Sequence, residues 1–384
     1  MTHILVLTHT NPDSDSRILK YLSFFDDHKI DYVAIGVEAK ISHNLRKSTI
    51  LIYPKLKKTI DLLTALPINH RYTRIFLRTF YYFEIVIKQI IAGVRSRAKV
   101  IHVHDWFSLP SGWIISRILN ARLIYDAHEL ESDSNGVTKE VRFLVRKVEK
   151  FCWAEVDAFI TVSNSILAWY MNEYGIKKSE VILNSPEISK VMEDQAIKGN
   201  HLKKKFEIER GSLIFLYIGV LEFGRGIEKY LEVFSKQEIS HHLVFLGSGS
   251  LEYKIRETMK TNRRVHIHEP VRHDKVIHVA KSADFGLCLI DEVSMSDWLC
   301  LPNKFFEYAF AGLPIVVSDF PEMSEAVRSH SLGVAIGNSS DELLALLQDP
   351  GQLRKMKKLA RASDLNELSL EHQRTKMQSI FLDS

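Results

Sequence analysis

The chain has 384 residues, 46% of them apolar and 26% charged, with a formal net charge of +4. That length allows two buried cores, and the composition is that of an ordinary globular protein rather than a disordered or fibrous one. The three cysteines, Cys152, Cys288 and Cys300, form no Cys-x-x-Cys pair, so neither a disulfide framework nor a zinc site is implied and a reducing compartment is expected.

The first residues read as a strand entering a polar loop, without the charged start and apolar run of a signal peptide. No window reaches about 18 consecutive apolar residues, so no spanning helix is expected. In the first half, strands are predicted at 4–8, 32–37, 50–53, 100–104, 121–126, 158–162 and 181–183. Amphipathic helices are predicted between them at 17–25, 108–119, 139–154 and 165–174. The loop after the first strand, His9 to Arg17, carries Asp13 and Asp15. Oxygen ligands so close together can bind a metal, but Arg17 can neutralise both carboxylates, and no metal is assigned.

Charge is unevenly placed. Residues 41–100 hold twelve Lys or Arg (46, 47, 55, 57, 58, 71, 74, 78, 88, 95, 97, 99) against Asp61 and Glu84, an excess of +10. With +4 overall, the rest of the chain is net acidic. From Arg71 to Lys88 aromatics mix with basic residues at helical spacing. Segment 46–99 therefore suits an anionic membrane surface. A solvated basic face over ordinary core aromatics is the plainer reading, and nucleic acid is not expected as a partner.

His102 and His104 share one face of strand 100–104, and Asp105 ends it; the run from Tyr125 to Glu129, with Asp126 and His128, ends the next. Histidines at strand ends can hydrogen-bond ligand hydroxyls and tune a proton transfer, and a buried structural role is the competing reading. His104 and His128 are preferred to His102.

A polar stretch from Glu187 to about Glu209 separates the halves. Alternation then restarts, with strands at 213–218, 243–246, 265–268, 285–289, 315–317 and 333–336. Helices fall at 227–236, 251–260, 275–280, 303–311 and 323–328, with an amphipathic tail at 368–381. Strand–helix alternation of this kind makes parallel sheets covered on both faces. The expected fold class is α/β with two Rossmann-like domains: 1–190, a linker at 191–210, 211–365, and a final helical segment at 366–384.

Ligands of open α/β sheets collect at the carboxyl ends of strands, and three segments of the second half lie there. In Tyr217-Ile-Gly-Val-Leu-Glu-Phe-Gly-Arg-Gly-Ile227, Gly219, Gly224 and Gly226 admit a close backbone approach, and Arg225 adds a forked cation. Gly247 and Gly249 form a second turn; a dinucleotide fingerprint would need a further glycine near 252, where Glu252 stands. The third segment is Leu301-Pro-Asn-Lys-Phe-Phe-Glu-Tyr-Ala-Phe-Ala-Gly-Leu-Pro-Ile-Val-Val-Ser-Asp319. Pro302 precedes a short helix where its missing N–H costs little, and Gly312 stops that helix. The N–H groups of Asn303 and Lys304 can bind an anion, and Glu307, one turn on, can accept from a diol. The histidines His266, His268, His273 and His278 lack a zinc-like helical pair.

The segment 301–319 resembles the donor-binding helix of family 4 retaining glycosyltransferases of the GT-B fold, which often reads L-P-N-K-x-F-E-Y-x-A-x-G-x-P-V-I-x-S-D. The loop around Arg225 resembles the family's diphosphate loop, although the arginine common after its strand-end glycine is here Val220. Strand ends at 102–105 and 126–129 resemble the family's H-x-H-D and D-x-H-E, and Asp15 with Arg17 resembles its acceptor-side Asp-x-Arg. Segments 161–165 and 183–186 also resemble stretches bordering the family's interdomain cleft. Many members carry a further glutamate eight positions before the retained one; that position is Leu299, which fits a Leu-Pro-Asn-Lys subset with a single glutamate.

The resemblance implies two Rossmann-like domains facing across a cleft, with the final helix crossing back onto the first. It implies transfer of a hexose-type sugar from a UDP- or GDP-sugar co-substrate, with no cofactor or metal required. The implied acceptor is a saccharide or polyprenyl-linked saccharide in cell-surface polysaccharide assembly. The protein is then expected in the cytoplasm or peripherally on the inner face of the membrane. Catalysis would rest on Arg225, His104 and His128. Two rival readings are a sugar-nucleotide epimerase or hydrolase of the same fold, and a non-catalytic nucleotide-binding subunit of a glycosyltransferase complex.

Overall fold

The computed structural model describes residues 3–37, 48–54, 71–186 and 200–382, without the side chains of 71–78. Most of the expected linker, 191–199, and residues 46–47 and 55–70 of the basic segment lie outside the described residues.

The chain divides into two compact units. The first comprises Met1–Thr161 and Leu167–Val181, the second Val162–Ile166 and Ile182–Ser384. The first unit holds strands β1 (His3–Leu7), β2 (Asp31–Val37), β3 (Thr49–Ile52), β4 (Val100–His104), β5 (Arg122–Ala127), β6 (Ala158–Thr161) and β7 (Lys178–Val181). They form one sheet in the order β3-β2-β1-β4-β5-β6-β7, with every pair parallel. Its helices are α1 (Ser16–Asp27), α2 (Arg71–Arg95), α3 (Asp105–Leu119) and α4 (Lys139–Trp153), and α5 (Asn164–Tyr174) begins at the division. β1, β4 and β5 are almost wholly buried, as strands covered by helices on both faces must be.

The second unit holds β8 (Ile214–Ile218), β9 (His242–Leu246), β10 (Val265–His268), β11 (Phe285–Cys288), β12 (Ile315–Ser318) and β13 (Gly333–Ile336), all parallel in the order β10-β9-β8-β11-β12-β13. Around it lie α6 (His201–Lys205), α7 (Ile227–Phe234), α8 (Glu252–Thr261), α9 (His273–Ala280), α10 (Met295–Trp298), α11 (Asn303–Phe310), α12 (Pro321–Ser329), α13 (Ser340–Leu347), α14 (Pro350–Ala362) and α15 (Leu370–Phe381). Strand side chains alternate in direction, so each strand feeds two cores. Ile214, Leu216 and Ile218 join Phe305, Phe306 and Phe310 in one cluster. Phe215 and Tyr217 join Tyr230, Phe234 and Leu343 in the other.

Each sheet reverses its strand order once, between β1 and β4 and between β8 and β11. Such a switch point opens a crevice at the carboxyl ends of the strands. The loops after β1, β4, β8 and β11 are therefore where each unit can take a ligand.

The last strand expected in the first half, 181–183, is displaced: β7 ends at Val181. Residues 182–186 run instead as an irregular segment, where Leu183 N donates to Gln373 Oε1 at 3.1 Å and Pro186 O accepts from Leu370 N at 3.2 Å. α6 forms in the polar stretch because Leu202 is fully buried in the second core. Among the described residues no helix is long and apolar enough to cross a membrane.

Candidate functional site

In the first unit the switch point gathers charged groups from three strand ends. The register of β4 on β5 sets His104 opposite Asp126. Arg17, on the first turn of α1, donates to Asp126 Oδ1 at 2.6 Å and Oδ2 at 3.2 Å, and both residues are buried. α1 is started by Asp15, whose Oδ1 accepts from Arg17 N and Ile18 N, and whose Oδ2 accepts from Thr10 Oγ1 at 3.0 Å. The expectation that Arg17 neutralises Asp13 and Asp15 is thus corrected. Its guanidinium turns inward to Asp126, while Asp15 caps the helix and Asp13 accepts from Thr49 Oγ1 at 3.3 Å.

Burial works against the Asp126 carboxylate, but Arg17 and His102 outweigh it and hold its pKa well below the usual value. Burial pushes His102 down, with Asp126 offsetting only part of the effect. Burial and then the neighbouring His102 push His104 well down, so both rings are neutral near pH 7. His102, His104 and Asp126 offer ligand atoms within 4.8 Å of one another. The guanidinium already on Asp126 places a fixed positive charge there, which opposes a divalent ion.

His104 has no exposed surface. Its Nδ1 lies 2.8 Å from Nε2 of His128, whose side chain is 21% exposed. His128 N donates to Asp105 Oδ1 at 3.2 Å, and its Nδ1 lies 3.3 Å from Asp105 Oδ2. Asp105 opens α3 at φ +62°, a left-handed backbone uncommon outside glycine and asparagine. Nδ1 of the half-exposed His9 stands 3.7 Å from the same carboxylate. Asp105, Asp126 and His9 are the members of this cluster that sequence reasoning did not single out as site residues.

In the second unit two turns are laced together at the end of β8. Leu221 N donates to Ser248 O at 2.9 Å, and Leu251 N to Leu221 O at 2.8 Å. A Cβ on Gly247, which has φ +154°, would stand 1.9 Å from Gly219 O, and one on Gly249 would be 2.4 Å from Leu221 O. The turns can approach this closely only because those positions carry no side chain. Gly219, Gly224 and Gly226 are left-handed, and Gly226 opens α7.

Arg225 donates from Nη1 to Asp297 Oδ1 at 3.1 Å. Asp297 is buried and held by Ser294, which gives its hydroxyl to Oδ2 and accepts from the Asp297 N–H. Lys229 donates to Asp291 at 3.2 Å and also to Asn338. Asp291 N in turn donates to Gly224 O at 3.0 Å.

α11 begins after Pro302, which supplies no side-chain cap, so the first N–H groups of the helix stay open. Asn303 Oδ1 accepts from Asn184 Nδ2 at 3.0 Å. The Lys304 ammonium lies over the Tyr217 ring, 4.0 Å from its centroid. Glu307 lies almost wholly within the buried side of α11, with Oε1 3.7 Å from His273 Nδ1. Gly312 follows the helix at φ +73°, as expected of a C-terminal stop. Of the other histidines singled out, His266 stacks on His242 with nitrogens 2.9 Å apart, and His268 lies 3.1 Å from His201.

Residues 50–186 match the family described as Glycosyltransferase Family 4, and residues 212–349 match Glycosyl transferases group 1. Among solved structures, sucrose-phosphate synthase from Thermosynechococcus elongatus aligns with a TM-score of 0.74 at 14% identity, over 100% of this chain and 99% of that one. HepE from Anabaena, in complex with UDP-glucose, aligns at 0.72 and 11% identity over 100% of both chains. An E. coli trehalose-6-phosphate protein bound with UDP-2-fluoro glucose aligns at 0.65 and 11% identity, over 99% of this chain and 98% of that one. No curated protein matches the sequence. The two family domains and the paired parallel sheets identify the chain as a glycosyltransferase of the GT-B fold.

Proposed function

We propose that the chain is a retaining, metal-independent hexosyltransferase of the Leu-Pro-Asn-Lys subset, with Glu307 as its single retained glutamate. The donor is a nucleoside diphosphate sugar. Two of the solved structures above hold UDP-glucose or UDP-2-fluoro glucose, which favours a UDP-sugar over a GDP-sugar. The acceptor is a saccharide or polyprenyl-linked saccharide of a cell-surface polysaccharide. We assign acceptor binding to domain 1–190, donor binding to 211–365 and a bracing role to 366–384.

The observation that carries this reading is the meeting of three elements at the switch point of the second sheet. These are the turn at Gly219, Gly224 and Gly226, the turn at Gly247 and Gly249, and the open start of α11 at Pro302, Asn303 and Lys304. Open N–H groups and close-packed backbone suit a diphosphate, and Glu307 one turn in suits a ribose diol. Arg225, oriented by Asp297, stabilises the departing diphosphate. On the acceptor side, Asp15 and Arg17 shape the site through α1 and Asp126, His128 presents its exposed edge, and His104 acts through His128. Transfer runs on one face of the sugar. The C1–O bond to the diphosphate breaks, the acceptor oxygen bonds to C1 from the same side, and its proton passes to the leaving diphosphate oxygen. Positioning and charge stabilisation do most of the catalysis.

Product analysis with donor alone and with donor plus saccharide acceptors tests this. The expected product is a glycoside with the donor's anomeric configuration, formed about 10²-fold more slowly by Arg225→Ala. Free sugar or an epimer as the main product would instead support an epimerase or hydrolase, and unchanged turnover in Arg225→Ala would remove that residue's role.

A further inference from the structure

We propose that the side chain of Lys304 is the uncommitted cation of the diphosphate site, held ready by the ring of Tyr217; this rests on the donor-site reading above. The other cations at this switch point are already matched, Arg225 by Asp297 at 3.1 Å and Lys229 by Asp291 at 3.2 Å. An incoming anion must compete with those carboxylates. Lys304 forms no ion pair with a carboxylate among the described residues; its ammonium lies 4.0 Å from the Tyr217 ring centroid, on the electron-rich face.

The platform is rigid. Tyr217 is fully buried on β8, and its hydroxyl donates to Val220 O at 2.7 Å, so the ring cannot swing away from the ammonium. Gly219 carries no side chain beside the ammonium; a Cβ there would be in contact with it, 3.5 Å from Lys304 Nζ and 3.7 Å from the Tyr217 hydroxyl. Lys304 is also the second residue of α11, whose first N–H groups carry no side-chain cap. A fixed cation and open helix N–H groups are thereby gathered at one turn. Residue 220, next to the strand-end glycine, is an exposed valine and supplies no charge. An ammonium already immobilised on an aromatic face loses less freedom on binding than a mobile surface lysine.

Titration calorimetry on the full chain, with inorganic pyrophosphate and with UDP, tests the assignment. Wild type is expected to bind both. Lys304→Met should weaken both about 10- to 100-fold, the loss expected for charge-assisted hydrogen bonds. Lys304→Arg should recover part of the affinity, and Tyr217→Phe, which keeps the ring, should lose less than Tyr217→Leu. Melting curves of the free proteins verify folding, and the partly exposed Lys304 variants do not depend on the core. Equal affinities in wild type and Lys304→Met would overturn the proposal and leave the donor site standing. A wild type that binds neither probe would overturn the donor-site reading and the proposal together.

Discussion

Glu149 sits fully buried on α4 and accepts from the hydroxyls of Tyr170 at 2.6 Å, Tyr125 at 2.8 Å and Tyr174 at 3.0 Å. Burial pushes its carboxyl up from 4.5 to about 7, although all three hydroxyls favour the anion. A carboxyl raised by folding holds its proton more tightly in the native state, so the native state loses stability as pH rises between those values. The loss is on the order of 3 kcal/mol. Glu149→Gln removes that titration. Denaturant midpoints measured from pH 4.5 to 7.5 should fall more steeply for wild type than for the variant, and parallel curves would show that Glu149 is not raised. Side-chain pairing of this kind was only partly legible beforehand. His104, His128, Arg225 and Glu307 stand out because they lie at strand ends, between the glycines of a turn, or on a patterned helix. The Arg17–Asp126 pair joins residues 109 apart, and the Lys304–Tyr217 contact joins a helix start to a strand end. Neither leaves a periodic trace in the sequence.

Elements were far more legible than contacts. Apolar runs bounded by glycine or polar residues mark buried parallel strands, and β4, β10 and β13 match the expected spans. Misses have local causes. α10 is four residues long and is held by the Ser294 cap rather than by periodicity. α13 and α14, capped by Ser339 and Asp349, lie in a stretch to which the sequence patterning assigns no element. The basic aromatic run from Arg71 to Lys88 falls in α2, whose inner side is fixed by Gln89 donating to Thr8 O at 3.0 Å and to Ser108 Oγ at 3.2 Å. Phe80, Phe83, Ile87 and Ile91, spaced by three and four residues, are each half exposed and form one stripe. We propose that this stripe, which lies in the part of the sequence that carries the basic excess, docks on an anionic bilayer. Wild type should co-sediment with phosphatidylglycerol vesicles, and Phe83→Asp/Ile87→Asp should not. A wild type that stays in the supernatant would dismiss the idea.

At the scale of the whole molecule, two family domains and two parallel sheets, each reversed once, make a GT-B glycosyltransferase. The alternation of strands and helices carries that architecture plainly in the sequence. The division of chemistry between the units is what remains to be tested. The first unit holds neutral, buried histidines linked to one partly exposed ring. The second contributes glycine turns, an open helix start and cations, the combination that suits a nucleoside diphosphate. The most direct test is a thermal-unfolding screen of the full chain with UDP, GDP, ADP and their sugar conjugates. A ligand that binds only the folded state stabilises it by about 2.7 kcal/mol at a hundredfold excess over Kd. One nucleotide series, with UDP expected, should raise the melting temperature by several degrees in a concentration-dependent way. No shift with any nucleotide or nucleotide sugar would contradict a donor site in the second unit.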